Sequence, residues 1–226
     1  MRDRARTIAI STIKEIGKST EDPTARVDRV LEHIDIWPVS LDPAGIIGRL
    51  EHLIDVRELR FKDEVKLMVP QADETQINNL TNVLEAALAL NQLYKIVRHF
   101  YLLGKKTLSF YVIMQLQMIL PLVMKESEAY ASYLRASTVG QPIGDGVGAL
   151  VAAKLMYGRE KRKVAKDIVA SEVPLEGRTA YVLKAEGPGA NGGKPGEAIK
   201  QILEEKEGKI ALVILVDAVQ KLSLIH

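Results

Sequence analysis

Between Lys106 and Lys125 the chain carries eighteen residues without a charge, TLSFYVIMQLQMILPLVM. That length reaches the lower limit for a helix crossing a bilayer, so the fold must either bury the stretch or give it to lipid. Thr107, Ser109, Gln115 and Gln117 interrupt its apolar character, and no second hydrophobic segment of similar length accompanies it. A buried central helix is therefore expected, apolar on all sides because other helices surround it. Pro121 lacks the N–H that would reach the carbonyl of Gln117, and is expected to kink that helix.

The preceding chain supplies the surrounding helices. Residues 1–19 read as an amphipathic helix with Ile8, Ile13 and Ile16 toward one side. Its Arg2, Arg4, Arg6, Lys14 and Lys18 could face a membrane or RNA, but a solvated face is the commoner meaning of such charges. Asp22 or Thr24 can cap a second helix over residues 25–36, which Trp37 and Pro38 end. Asp42 and Pro43 pair an N-cap with a first-turn proline for a helix running to Val69. A further helix, Glu74 to Leu103, carries an apolar stripe through Leu80, Leu84, Leu88 and Tyr94, and Gly104 is expected to end it. Short connections between such helices make a bundle, here residues 1–138.

The segments LEHIDI and LEHLIDV each set a glutamate beside a histidine. Glu51 and Asp55 share a helix face while His52 is turned away, and the sequence contains no HxxxH or ExxH pair, so a structural role is expected there rather than a metal site. The whole chain has 31 basic and 29 acidic residues, a net charge of +2, which gives no global electrostatic case for nucleic acid. It has no cysteine, which removes disulfides, thiolate metal sites and cysteine nucleophiles. The amino terminus lacks the apolar core of a signal peptide, and a cytoplasmic location is expected.

At Val139 the pattern changes to VGQPIGDGVGALVAAKLMYGREKRK. Residues 139–163 read as a glycine-rich hinge and a short helix from Val147 to Tyr157, capped by Asp145. Gly144 and Gly146 allow close backbone approach, which suits either a hinge or a phosphate cradle at the helix start. The cations of REKRK then sit where the helix dipole favours them. Residues 164–226 are expected to form a small α/β domain. IVASEV and TAYVLKA, separated by PLEGR, make a β-hairpin. The second of these strands then enters a βαβ unit through a glycine-rich loop, a helix from Glu197 to Lys206, and a strand Ile210–Val216 ending in Asp217. The expected fold is α+β: a mainly helical bundle followed by this domain.

The loop EGPGANGGKPGE is the leading candidate site. Pro195 suits the first turn of a helix whose unpaired N–H groups attract anions. Gly187, Gly189, Gly192 and Gly193 free the backbone, Asn191 offers a hydrogen bond and Lys194 a counter-charge. Glu186 and Asp217, at strand ends, could hold a magnesium ion against a phosphate. Gly187, Gly189 and Gly192 match GxGxxG literally, but the loop is too long and the acidic residue misplaced for a dinucleotide site. A plain glycine-rich turn remains open beside these readings. The carboxylate pair is also similar to the toprim domain of primases and topoisomerases, with Glu186 and Gly187 fitting its first element. Asp217 departs from it, being followed by Ala218 and Val219.

Longer segments carry a more specific likeness: LDPAGIIGRLEHLIDVRELRF, ALALNQLYKIVRHFYLLGKKT, YVIMQLQMILPLVM, GQPIGDGVGALVAAKLM, VLKAEGPGANGGKPGEAI and ILVDAVQKL. Across residues 40–222 the chain resembles an archaeal family of uncharacterised proteins. The resemblance implies that some members are longer and membrane-anchored, and it brings no activity or catalytic residue. The end, SLIH, looks abrupt beside that family. If the α/β domain is incomplete there, an exposed strand edge can pair with another copy, so a homo-oligomer is expected. Two functions follow: binding of a phosphate-containing small ligand on the loop, or a helical scaffold that associates with a membrane face or a protein.

Overall fold

The computed structural model describes residues 1–17, 21–33, 46–141, 146–187 and 192–216. The chain divides into two compact units, Met1–Gln141 and Pro142–His226.

The first unit is helical: α1 (Arg2–Gly17), α2 (Thr24–Leu31), α3 (Ile46–Met68), α4 (Glu74–Thr107) and α5 (Phe110–Thr138). Helix α4 begins at a reciprocal cap. The Asp73 carboxylate accepts from the Gln76 N–H at 2.8 Å, and the Gln76 side chain accepts from the Asp73 N–H at 3.0 Å. Around it close α1, α2, α3 and the carboxyl-terminal half of α5, burying Ile13, Val27, Val65, Leu80, Leu84 and Leu134 in one core. Asn91 is buried in α4, and its Nδ2 donates to the Leu31 carbonyl at 2.5 Å, so the last turn of α2 is tied to α4. Arg6 of α1 grips Asp28 of α2 with two bonds, 2.5 and 2.7 Å.

Two expectations for this unit are corrected. Gly104 does not end α4, which runs one turn further to Thr107. A Cβ at Gly104 would lie 2.5 Å from Cδ1 of Ile113, so the glycine serves the close approach of α4 to α5. The larger correction concerns the charge-free stretch. Helix α5 continues through Pro121, but its first half is not the buried centre of a bundle. Met118, Leu122 and most of their neighbours are exposed, and the buried residues of α5 begin only at Ser127. Among the described residues no helix is long and apolar enough to cross a membrane. The stretch is therefore neither core nor span. It forms the outer half of the α4–α5 hairpin, beyond the buried core of the unit.

The second unit comprises α6 (Val147–Leu155), β1 (Arg162–Ala165), β2 (Ile168–Leu175), β3 (Arg178–Ala185) and α7 (Pro195–Glu205). The strands form one antiparallel sheet in the order β1-β2-β3. The expected hairpin is present as β2 and β3, turned by Glu176 and Gly177, both at positive φ, as in the turn that suits twisted strands. β1 was not foreseen. Its residues, RKVA, read as cations trailing a helix, yet Val164 is buried against α7. The βαβ unit is not formed among the described residues. Ile210–Val216 joins no strand ladder, and its Val216 carbonyl instead lies against Gly148 of α6, where a Cβ would come within 2.2 Å of it. An apolar run shows that a segment favours an extended chain; it does not name the edge it pairs with.

Pleating gives the sheet two different faces. Ile168 and Ala170 of β2 pack with Ala198 and Ile202 of α7. Ser171, on the alternate face, donates to the Glu160 carbonyl just past α6 at 2.7 Å.

The Arg6–Asp28 pair gives a test with a defined sign. Its hydrogen bond to Arg6 is the main cause that holds the Asp28 carboxyl below the ordinary aspartate range, against the opposing effect of burial. The stability it supplies is complete above that range and is lost as pH falls through the lowered native value. The two side chains are 35% and 45% exposed, so solvent screening keeps the contribution of the pair small. Asp28→Asn should lower the Tm of the first unit by roughly 2–4 °C at pH 7. In circular dichroism melts the gap from wild type should close as the pH is taken through the acid range. A gap of constant size would rule the ion pair out as its source.

Candidate functional site

The glycine-rich loop is held at its neck. As the chain leaves β3, the Glu186 N–H donates to the Asp167 carbonyl at 2.8 Å. Beyond the loop, the Lys194 N–H donates to the Lys166 carbonyl at 3.1 Å. The single turn between β1 and β2 thus binds both stems, as in a compact loop whose ends meet. Gly193 makes this approach feasible. It has φ +60°, and a Cβ there would stand 2.8 Å from the Asp167 carbonyl oxygen and 2.9 Å from that of Lys166. Gly187 also has positive φ, +72°, but open space surrounds the position of its missing Cβ.

Helix α7 starts on the far stem with Lys194 at the N-cap and Pro195 in the first turn, and no side chain caps it. Its first N–H groups therefore lack the usual intrahelical partners. The Lys194 ammonium lies 3.4 Å from Glu197. Glu186 is 3.0 Å from the Lys163 ammonium, which stands 4.0 Å from Asp167 as well. The hydrogen bond to Glu186, and then its charge, hold Lys163 above the ordinary lysine value. As a magnesium ligand Glu186 would have to give up this partner. Among the described residues no group of three or more histidines and carboxylates is placed to hold a metal.

Of the other residues singled out in the sequence, Gly192 lies in the described segment before α7, and Gly146 is the N-cap of α6 and has no side chain of its own to cap it. Gly144, Asp145, Gly189, Asn191 and Asp217 lie outside the described residues.

The second candidate surface is the outer half of the α4–α5 hairpin. The buried face of α4 ends at Asn91, with Gly104 the one later buried position, and α5 presents apolar side chains around its circumference before Ser127. At the tip the connection is two residues long. Leu108 closes α4 in the left-handed conformation, φ 51°, with its N–H on the Gly104 carbonyl. Ser109 caps α5 by accepting from the Val112 N–H at 3.4 Å. Leu108 is 89% exposed, Phe110 79% and Met118 74%. Arg98 lies over the Tyr94 ring, 6.0 Å from its centroid. Sequence reasoning recognised this stretch but assigned it to the core. The missed signal was the short reach of α1 and α2, which, among the described residues, leaves the outer half of a 34-residue α4 packed mainly on α5.

The neck of the loop yields a paired prediction. Gly193→Ala meets two carbonyl oxygens and a left-handed backbone together, whereas Gly187→Ala meets the backbone cost alone, about 1–2 kcal/mol. Denaturant melts should therefore show Gly193→Ala to be the more damaging by at least about 1 kcal/mol. Equal losses would mean that the neck is not closed as described.

No curated protein and no solved structure matches this chain. The N-terminal domain of a protein family of unknown function, DUF1512, matches residues 1–138, and the C-terminal domain of the same family matches residues 143–223. Together the two matches cover the helical unit, the sheet and the glycine-rich loop, and the chain belongs to the DUF1512 family.

Proposed function

We propose that this protein acts by docking, and that its working surface is the outer half of the α4–α5 hairpin. One observation carries the reading: large apolar side chains stand exposed on both helices from Tyr94 to Met124, Tyr101, Tyr111 and Leu122 among them. The largest apolar patch of an ordinary monomer is about 300–600 Å² and is often functional in itself; this surface runs along and around two helices. Photo-reactive residues placed at Met118 and Leu122 should give adducts in cells, while one placed at the exposed Ser132, on the inner half of α5, should not. Equal labelling at all three positions would dismiss the docking reading.

A second reading is favoured by the pinned neck of the loop and the uncapped start of α7: an anion, such as the phosphate of a small molecule, seated against Gly192, Gly193 and Lys194. Helix starts attract anions through their unpaired N–H groups and dipole. A ligand that binds only the folded protein stabilises it by about 2.7 kcal/mol at a hundred times its Kd. Phosphate, nucleotides or sugar phosphates, with or without magnesium, should raise the Tm of wild type and not of Lys194→Glu. A screen with no shift in any of them would remove this reading.

A further inference from the structure

Resting on the docking reading, we infer that the outer hairpin docks on an anionic lipid surface. The charge of the hairpin selects this occupant. From Ala86 through Lys125 the chain has no aspartate or glutamate, but it has Lys95, Arg98, Lys105, Lys106 and Lys125. Lys95 is tied to Glu32 at 2.6 Å, while Lys105 and Lys106 are exposed on the last turn of α4. A second copy of this hairpin would bring cations against cations. A plane of anionic headgroups complements them, and basic residues near such a plane are drawn to it.

The tip has the chemistry of an interface. Lys105 and Lys106 immediately precede Leu108, Phe110 and Tyr111, all strongly exposed. Aromatic rings favour the headgroup level, and lysines can lay their stems along the apolar side while keeping the ammonium among phosphates. Leu108 is the most telling residue. It occupies a left-handed position that glycine fills without strain, and among the described residues it is the most exposed of the large apolar ones. For folding alone leucine is a poor choice on both counts; insertion between lipid chains gives it a partner. Since no described helix is long and apolar enough to cross a bilayer, the hairpin enters the near leaflet and does not span.

The full chain should be floated with vesicles of phosphatidylcholine alone and with vesicles containing 30% phosphatidylglycerol, at 0.15 M and 0.5 M salt. Co-flotation is expected with the anionic vesicles only, weakened at the higher salt. The double variant Lys105→Glu/Lys106→Glu should lose at least tenfold in apparent affinity. Leu108→Gly should lose affinity while melting no lower than wild type, which separates a docking defect from a folding one. Equal binding to neutral vesicles, or undiminished binding by Lys105→Glu/Lys106→Glu, overturns the inference. So does an absence of vesicle binding together with a dimer in sedimentation velocity that Met118→Glu dissolves; there the docking reading stands and a second copy is the occupant. With neither vesicle binding nor a dimer, and no adduct at Met118 or Leu122, both fall.

Discussion

The packing of α4 against α5 is the contact on which the first unit depends, because every other helix of that unit is shorter than the pair it covers. At about 1.5 Å per residue, α4 with its 34 residues is more than twice as long as α1 with 16 and four times as long as α2 with eight. The core consequently fills one half of the hairpin and stops near Asn91. Beyond that point Arg2 of α1 lies over the Tyr94 ring, 4.7 Å from its centroid, and Glu32 pairs with Lys95 at 2.6 Å, while farther out the large apolar side chains of α4 and α5 are exposed. Gly104, which lets Ile113 settle onto the α4 backbone, and the two-residue link through Leu108 and Ser109 keep the outer halves together.

A comparable economy governs the second unit. A small sheet is stabilised by a hydrophobic face of three or more strands or by a helix packed on it, and here α7 covers one face. The turn at Lys166 and Asp167 supplies the geometry for this. By accepting from Glu186 and from Lys194 it fixes where the chain leaves β3 and where α7 begins, which lays Ala198 and Ile202 over Val164, Ile168 and Ala170. Arg162 reinforces the arrangement from the other end of α7, at 2.5 Å from Glu205. The stems of the loop are therefore set by contacts that also build the core, and this is what gives the anion reading its geometric basis.

Local signals in the sequence were legible where local chemistry decides the outcome. The start of α4 at Glu74, the β2–β3 hairpin and the first-turn role of Pro195 all follow from neighbours a few residues apart. Readings failed where a distant partner decides. Gly104 looked like a terminator, because sequence cannot distinguish a glycine that ends a helix from one that admits Ile113. Ile210–Val216 looked like a parallel strand, because its composition reports burial tendency and not its pairing edge. The charge-free stretch looked like core for the same reason. Apolar residues around a whole helix say that some medium other than water is suited to them, and only the lengths of α1 and α2 in three dimensions show that the medium is not this unit's own interior. The candidate site on the loop was legible at its stems, Glu186 and Lys194, but the Lys163 partner that neutralises Glu186 comes from a strand the sequence did not declare.

The outer hairpin is also a place where folding and residue choice part company. Exposed helix positions accept polar residues at little cost to stability, usually within about 0.5 kcal/mol, so nothing in the fold requires Phe110, Tyr111, Met118 or Leu122 to be apolar. Their absence would leave the Gly104–Ile113 contact, the Ser109 cap and the buried half of the hairpin intact. The structural elements that hold the arm together are thus different residues from those that make its surface apolar. On the docking reading such a surface is explained by what meets it, and the one-sided charge of that arm is what favours an anionic partner over a second copy.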